Sequence, residues 1–128
     1  MPELPEVEVV RRGMDRWAIG RTIESVEVLN ARAIRNHIGD ARDFAASLAG
    51  RTFTAASRRG KFMWLTLDSG DALVTHLGMS GQVLVQPPDS EFEKHLRILV
   101  TFADGERQMR FVDQRTFGGM AIEPRVEV

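Results

Sequence analysis

The apolar residues near the start of the chain recur at the spacing of a helix. They form one stripe, made up of Val7, Val10, Met14 and Trp17. Pro5 suits the first turn of a helix and Gly20 suits its end, so an amphipathic helix is predicted between them. Residues 40–48 show a shorter version of the same pattern, which predicts a second helix that ends at Gly50.

The rest of the chain is dominated by the two-residue period of strands. Residues 22–29 alternate between apolar and polar, as a strand with one buried face does. From Arg51 this period continues, and strands are predicted near residues 52–58, 61–68, 72–77, 82–86, 96–102, 107–111 and 118–123. Many short strands with frequent turns favour a sandwich or a barrel. We expect a mainly β fold with flanking helices, in which the N-terminal α-helix packs on a two-sheet antiparallel β-sandwich.

Turn-forming residues separate these strands. The composition of residues 68–71 and 103–106 predicts hairpin turns. Residues 30–39 have no clear period and are predicted to form a loop, and Pro87 begins a longer connection that is predicted to be mobile. No linker divides the chain, so residues 1–128 are expected to form a single domain.

The charge of the chain is close to balanced overall but uneven along its length. The formal net charge is −1, which provides no whole-chain argument for binding nucleic acid. Residues 31–61 hold seven Lys or Arg and two Asp, a local balance of seven minus two, or +5. A basic segment of this kind is expected of a phosphate-binding face, but on this count alone scattered charge on a solvated surface is slightly favoured.

The composition excludes several classes of protein. There is no cysteine, which excludes a disulfide framework and a thiolate metal site. The three histidines lack metal-ligand spacing. No apolar run reaches membrane-spanning length and no signal peptide is visible, so we expect cytoplasmic residence and no membrane partner.

The first residues carry the most unusual candidate chemistry. If Met1 is removed, Pro2 becomes the first residue and its nitrogen becomes a free secondary amine. An α-amino group has a reference pKa near 7.7–8.0, against about 10.4 for lysine, so more of it is neutral and nucleophilic at pH 7. A secondary amine that attacks a sugar carbon passes to an iminium, and the carboxyl group of Glu3 is a neighbouring proton donor or acceptor. A retained Met1 would make the Pro2 nitrogen an amide and remove this chemistry.

Two glycine-containing segments in the middle of the chain carry further candidates. In residues 58–62, Lys61 follows a glycine turn and is either an ordinary basic surface residue or a phosphate contact. In residues 75–81, Met79 stands between a glycine and a serine, which suits an exposed turn better than a buried strand. An exposed methionine there could wedge into a DNA stack, although filling a core is the more common role of methionine.

A third segment, residues 111–119, ends in two glycines and therefore predicts a sharp loop. Arg115 could read a base by forked hydrogen bonds, and Phe117 could wedge beside it. The alternative is a surface arginine next to an aromatic core residue.

Together these segments resemble the formamidopyrimidine-DNA glycosylases, a family that excises oxidised purines. Five motifs follow the family's order between residues 1 and 119: the opening Met-Pro-Glu-Leu-Pro-Glu-Val-Glu, Arg-Arg-Gly-Lys-Phe at 58–62, His-Leu-Gly-Met-Ser-Gly at 76–81, the segment around His95, and Asp-Gln-Arg-Thr-Phe-Gly at 113–118. The related endonuclease VIII group shares the Pro-Glu start, but usually not the residues that follow it.

The resemblance implies a role for each matched residue. Pro2 would be the nucleophile, Glu3 would protonate the sugar ring oxygen, and Lys61 would contact the phosphate of the damaged nucleotide and assist elimination. His76 would contact backbone phosphate, and Met79 would fill the vacated space. His95 would be a further contact with DNA. Arg115 would read the orphaned base, and Phe117 would wedge beside it. Many relatives have a second basic residue where this chain has Thr116, so one possible phosphate contact is missing, and some relatives have a second histidine where this chain has Glu93.

The resemblance also bears on the organisation of the chain. Family members continue into a helical DNA-binding half with a helix-two-turn-helix and usually a zinc finger, so residues 1–128 are interpreted as the single N-terminal catalytic domain. No cofactor is expected in this domain, and zinc is expected in the other half. The implied partner is damaged double-stranded DNA, and the implied state is a monomer. Alone, these residues are expected to fold but to bind DNA poorly and to turn over little substrate.

Three alternatives remain open from the sequence. The first is an endonuclease VIII-like enzyme for oxidised pyrimidines, which excision assays on 8-oxoguanine and thymine glycol duplexes would separate. The second is a non-catalytic DNA-binding module, in which Pro2→Gly would change nothing. The third is a β-sandwich interaction domain, which would show no salt-dependent affinity for DNA.

Overall fold

The computed structural model describes residues 4–124, with side chains from residue 6 onward. Within this range it contains two α-helices, one short 3₁₀ helix and eight strands. They are α1 (Leu4–Trp17), β1 (Ile23–Val28), the 3₁₀ helix (Ala31–Ile34), α2 (Ala41–Leu48), β2 (Phe53–Arg59), β3 (Phe62–Leu67), β4 (Ala72–His76), β5 (Gln82–Gln86), β6 (Leu96–Phe102), β7 (Gln108–Val112) and β8 (Gly119–Glu123). Every predicted strand is present, and each end lies within one residue of its predicted position.

The strands form two four-stranded antiparallel sheets. Sheet A has the order β1-β6-β7-β5, and sheet B has the order β2-β3-β4-β8. Their inner faces share one core, and α1 packs against it. The predicted two-sheet antiparallel β-sandwich with an N-terminal helix packed on it is confirmed, and the barrel alternative is wrong.

Alternating residues of both sheets build this core. In β3 they are Met63, Leu65 and Leu67, each at 1 % exposure. From sheet A, Phe102 reaches across to Phe53 of sheet B in an edge-to-face contact, with the ring centroids 6.1 Å apart. Each fully buried side chain of this size contributes about 1.5–3 kcal/mol to folding, which is why the two-residue period is visible in the sequence.

The two helices cover the open sides of the sandwich. α1 contacts β2 and β5, which are edge strands of different sheets, and α2 contacts β1 and β8, the opposite pair of edges. Val7 and Met14 are buried, as their helical stripe predicts. The prediction is wrong for Trp17, which is 36 % exposed at the rim, where the guanidinium of Arg107 lies 4.5 Å from its ring.

The predicted loop at residues 30–39 contains one turn of 3₁₀ helix. Asn30 caps this turn by accepting a hydrogen bond from the backbone N–H of Arg32 at 3.0 Å. Ala33 and Ile34 are buried, and the turn packs against β8. A single turn of four residues is too short to leave a periodic pattern, which is why the sequence does not reveal it.

A buried arginine donates hydrogen bonds to the connection between β5 and β6. Arg110 of β7 is fully buried beneath it. Its guanidinium donates hydrogen bonds to oxygen atoms of Pro87, Ser90, Glu91 and Glu93. A surface segment rich in turn residues does not reveal a buried partner from a distant strand, and the mobility of the connection stays a prediction.

Candidate nucleic-acid interface

Three loops meet at one end of sheet B because of the register of its strands. Phe62 at the start of β3 lies opposite His76 at the end of β4. His76 in turn lies opposite Gly119, at the start of β8. The β2–β3 turn, the β4–β5 loop and the β7–β8 loop therefore emerge side by side. We call this the loop end of the sandwich.

Sheet A contributes to the same end. Gln82 at the start of β5 and Leu96 at the start of β6 both pair with Val112, the last residue of β7. His95 directly precedes β6, and its carbonyl accepts the N–H of Asp113 at 3.0 Å. All candidate residues within the described range thus lie at the loop end, namely Lys61, His76, Met79, His95, Arg115 and Phe117.

The beginning of α1 is also directed to the loop end. Glu8 accepts a hydrogen bond from Arg58, near the end of β2, at 3.1 Å. Glu6 and Met79 both line one groove between α1 and β5, which has a volume of about 460 Å³. The candidate nucleophile Pro2 and the candidate acid Glu3 lie outside the described residues.

Glu8 fastens α1 to the neighbouring strand. Its carboxylate accepts hydrogen bonds from Arg11 and Arg12 at 2.8 and 2.9 Å, in addition to the bond from Arg58. The guanidinium of Arg11, followed by that of Arg12, holds the pKa of Glu8 well below its ordinary value of 4.5. Arg11 also donates to the carbonyl of Ala56 in β2, so the start of the helix is bound to sheet B by a charged network.

Two apolar side chains project from the loops into solvent. Met79 is 55 % exposed and Phe117 is 41 % exposed, in a chain whose other phenylalanines are mostly buried. Exposed positions are not core positions, so the core alternatives for these two residues do not describe this structure. Side chains of this type at a loop tip have the form required to enter a base stack.

Two groups on neighbouring strands can hold phosphate. Lys61 is the exposed second residue of a two-residue turn, in which Gly60 has a φ of 61° and occupies the position that a type II′ turn reserves for glycine. His76 accepts the N–H of Gly78 at Nδ1, at 3.2 Å, so the proton of the neutral ring is on Nε2. Its ring packs on Phe62 with the centroids 5.1 Å apart, which leaves Nε2 as a fixed donor.

Asp113 shapes the loop that carries Arg115 and Phe117, and the sequence patterns assign no such role to it. Its side chain is fully buried. One carboxylate oxygen accepts Ser80 Oγ at 2.9 Å and the N–H of Arg115 at 3.2 Å, and the other accepts the N–H of Gly118 at 2.9 Å. A buried acidic residue that opens a glycine-ended loop is the signal that could have identified this role.

Thr116 lies at the strained position of the same loop. Its φ is 53°, and among residues 4–124 it is the one non-glycine residue in the left-handed region. A β-branched residue there costs about 1–3 kcal/mol and persists where the surroundings enforce it. Its side chain is 3 % exposed and therefore faces the protein rather than DNA.

The close approach of two glycines joins the β4–β5 and β7–β8 loops. A Cβ on Gly78, whose φ is 62°, would lie 2.5 Å from the backbone nitrogen of Gly118. A Cβ on Gly118 would lie 2.3 Å from the carbonyl oxygen of His76. Only glycine fits at this contact. Each of the two loops therefore needs its glycine because the backbone of the other loop lies so close.

Four arginines of the basic segment at residues 31–61 are engaged within the protein, which argues against a single free phosphate-binding face. Arg32 and Arg35 donate to backbone carbonyls of the 113–118 loop. Arg58 pairs with Glu8, and Arg51 lies 3.7 Å from Asp68. Counting charges along a sequence cannot show that an arginine is satisfied by distant carbonyls.

His37, a further polar residue of this segment, has a structural role. It is 8 % exposed, and its Nε2 lies 2.8 Å from Asp43 Oδ2. Its Nδ1 accepts the N–H of Ile122 in β8 at 3.1 Å. It therefore joins α2 to the edge of sheet B.

Metal and membrane sites were also sought in the described range. Across residues 4–124, no three His, Cys, Asp or Glu side chains lie close enough together to bind a metal ion. Neither described α-helix is long and apolar enough to cross a membrane.

Exposed apolar tips, an exposed lysine, a histidine N–H donor and an exposed arginine at one end of the sandwich are the types of group suited to a surface that faces duplex DNA. The family model for the formamidopyrimidine-DNA glycosylase N-terminal domain matches residues 1–120, and the chain belongs to this family.

Curated relatives show the same similarity over part of their length. The chain is 59 % identical over 129 residues to the formamidopyrimidine-DNA glycosylase of Rhodococcus erythropolis, covering 100 % of this chain and 44 % of that protein. It is 57 % identical over 124 residues to that of Streptomyces coelicolor, covering 95 % and 43 %. The chain therefore spans less than half the length of these relatives.

Solved structures of Lactococcus lactis Fpg (MutM) share the fold. Its complex with DNA containing N7-benzyl-Fapy-dG matches with a TM-score of 0.86 and 32 % identity, covering 94 % of this chain and 43 % of that one. Its complex with DNA containing an abasic site matches with a TM-score of 0.86 and 31 % identity over the same shares.

Proposed function

We propose that this chain is the catalytic half of a DNA glycosylase and AP lyase that removes oxidised purines, such as 8-oxoguanine and formamidopyrimidines, in base excision repair. The observation that carries the proposal is the convergence of six candidate side chains at the loop end, toward which the beginning of α1 is directed. Family membership and the DNA-bound state of the similar Lactococcus lactis structures support it.

In the proposed mechanism, the damaged nucleotide is first flipped out of the duplex. This step costs a few kcal/mol and is easiest at a lesion or mismatch. Met79 and Phe117 enter the vacated space, and Arg115 hydrogen-bonds the orphaned base. Lys61 and the Nε2–H of His76 hold the phosphates of the flipped nucleotide, with His95 as a further DNA contact.

The covalent step uses the two residues before α1. The neutral Pro2 nitrogen attacks the anomeric carbon as the bond from that carbon to the base breaks, and the base leaves with the bonding electrons and takes up the proton that the nitrogen loses. Glu3 then protonates the ring oxygen. The sugar opens to an iminium on Pro2, which carries positive charge and draws electrons from the neighbouring carbon. Loss of a proton from that carbon expels the 3′ phosphate, and a second elimination, assisted by Lys61, expels the 5′ phosphate.

The rest of the DNA-binding surface would be supplied by a second half, as the length of the relatives indicates. In this proposal the second half carries the helix-two-turn-helix and the zinc finger, and the whole protein acts as a monomer in the cytoplasm. The 128-residue chain alone is then a poor catalyst.

Borohydride trapping tests the covalent step. The chain is mixed with a duplex containing 8-oxoguanine opposite cytosine, both alone and joined to the carboxyl-terminal half of the Rhodococcus erythropolis relative. Borohydride reduces an iminium to a stable amine, so we expect a covalent adduct whose mass maps to the peptide that begins at Pro2, in higher yield for the joined polypeptide.

Two controls accompany this experiment. A thymine glycol duplex tests the endonuclease VIII-like alternative and is expected to trap less. The intact mass of the chain shows whether Met1 has been removed. If the joined polypeptide is processed and traps no adduct, or only an adduct on an internal lysine, the proposed chemistry is wrong.

A further inference from the structure

Three guanidinium groups from outside the 113–118 loop support its backbone. Arg97 of β6 donates to the carbonyls of Asp113 and Gln114 at 2.9 and 3.1 Å. Arg32 donates from Nε to the carbonyl of Thr116 at 3.0 Å. The largest share comes from Arg35, directly after the 3₁₀ helix.

Arg35 binds three consecutive carbonyls. Its Nη1 donates to Thr116 at 3.1 Å and to Gly118 at 2.8 Å, and its Nη2 donates to Phe117 at 2.6 Å. Nη1 also donates to the carbonyl of Arg32 at 2.9 Å, which fixes the guanidinium to its own turn. A planar fork of donors suits such a set of acceptors, whereas an ammonium is a single point charge.

These contacts determine which way the loop presents its side chains. With the carbonyls held inward, Arg115 and Phe117 are exposed, and the guanidinium of Arg115 lies 6.0 Å from the ring of Phe117. Thr116 between them is held at a φ of 53°, a conformation that the loop would leave without support.

We propose that Arg35 is a positioning residue that sets discrimination of the base opposite the lesion, and that it is not a phosphate contact. This inference rests on the proposed function, because it takes Arg115 as the group that reads the orphaned base. Arg35 acts through the backbone of residues 116–118, because its two Nη atoms donate to the carbonyls of Thr116, Phe117 and Gly118.

Three variants separate this role from a contribution of charge. Arg35→Gln removes the charge and the fork, and Arg35→Lys keeps the charge but loses the fork. Arg42→Gln is the matched control, because Arg42 is exposed on α2 and forms no ion pair with another residue of the described range.

The first measurement needs no DNA. Amide hydrogen exchange is followed at Gly118, whose N–H donates to the buried carboxylate of Asp113. We expect exchange at Gly118 to become at least about tenfold faster in Arg35→Gln and in Arg35→Lys, and to stay unchanged in Arg42→Gln, since the forked set of hydrogen bonds to the carbonyls of residues 116–118 is lost only in the first two. Unchanged exchange in both Arg35 variants would overturn the inference, whatever the chain does to DNA.

The second measurement compares affinities for duplexes with a tetrahydrofuran abasic analogue opposite cytosine or adenine, over a range of salt concentrations. We expect both Arg35 variants to lose several-fold in the cytosine-to-adenine ratio while the salt dependence stays as in the unaltered chain. A salt slope smaller by about 0.9 in Arg35→Gln but not in Arg35→Lys, with the ratio unchanged, would instead identify a phosphate contact and overturn the inference.

The two proposals fail in different ways. If the unaltered chain, joined to the relative's second half as above, shows no lesion-dependent affinity, the proposed function is wrong. If it binds and discriminates but the Arg35 variants discriminate equally well, only the role of Arg35 is wrong.

Discussion

At the scale of single residues, the site depends on buried polar groups more than on its exposed ones. Asp113 accepts hydrogen bonds from Ser80 of one loop and from Arg115 and Gly118 of another, so one carboxylate sets the relation between both loops. Removing one partner of a buried hydrogen-bonded charge leaves donors unsatisfied, which costs more than the net value of the bonds.

We therefore expect Asp113→Asn to lower the free energy of unfolding by about 2–4 kcal/mol. In asparagine an NH₂ group replaces one carboxylate oxygen, so a buried donor that bonded to that oxygen loses its acceptor. Urea unfolding followed by tryptophan fluorescence measures the change. Asp89→Asn, an exposed position in the β5–β6 connection, is the control and should stay within about 0.5 kcal/mol of the parent. Equal effects of the two variants would show that Asp113 does not support the loop.

At the scale of elements, the loops are arranged by backbone contacts that no single motif reveals. The sequence places glycines in each loop, and turn chemistry alone explains Gly60. Gly78 has a second reason to be glycine, which is its contact with Gly118 of the β7–β8 loop. That contact requires β4 and β8 to be neighbours, and strand order is not readable from alternation along one chain.

A matched pair of substitutions separates these two reasons. Gly60 and Gly78 have nearly the same φ, 61° and 62°, but a Cβ on Gly60 meets nothing within 4 Å. Gly60→Ala should cost about 1 kcal/mol from backbone strain alone, whereas Gly78→Ala should cost about 3 kcal/mol or more, because backbone atoms of the neighbouring loop must move. Thermal unfolding of both variants measures the difference, and equal costs would contradict the loop contact.

The attachment of α1 gives a pH-dependent prediction at the same scale. Because the pKa of Glu8 is lowered in the folded chain, mainly by Arg11, its stabilising contribution is complete above its ordinary pKa of 4.5 and is lost as pH falls through the lower folded value. The difference in Tm between the parent and Glu8→Gln should be constant from pH 7 to about pH 5 and should shrink below that range.

Glu24→Gln is the control for this titration, since Glu24 is exposed on β1. Its Tm should follow that of the parent at every pH. A difference between parent and Glu8→Gln that persists unchanged into strong acid would show that the carboxylate of Glu8 does not hold the helix.

At the scale of the whole molecule, the sequence predicts the elements far better than their assembly. Strand positions are predictable because burial of one face acts residue by residue along each strand. The convergence of three distant loops depends on strand order, and the fate of Arg32, Arg35 and Arg58 depends on carbonyls and a carboxylate far away in sequence. Motif resemblance singled out Lys61 and Arg115 as candidates, but it could not show which arginines support the loop that carries Arg115.

Because several arginines are bound within the protein, few cations are left to contact DNA, and this leads to a final prediction about the salt dependence of DNA binding. At the loop end, Arg59, Lys61 and Lys94 are exposed cations for which the described residues show no ion pair, so they are available to neutralise phosphates, whereas Arg115 is assigned to the orphaned base. Each phosphate contact changes the slope of log K against log salt by about −0.9, so we expect a slope of about −2 to −3 for duplex binding by this chain. The weak affinity expected of the chain alone follows from so few contacts.

Substitutions at the two ends of one hairpin test this distribution. Lys61→Met, at the loop end, should reduce the magnitude of the slope by about 0.9, and Arg51→Met, at the opposite end of the β2–β3 hairpin, should leave it unchanged although the net charge falls equally. Fluorescence anisotropy with a labelled abasic-analogue duplex measures both slopes. Equal changes in the two variants would mean that DNA binding depends on the total charge of the chain and not on the loop end. Each variant removes one positive charge, so only a localised phosphate contact can make their slopes differ.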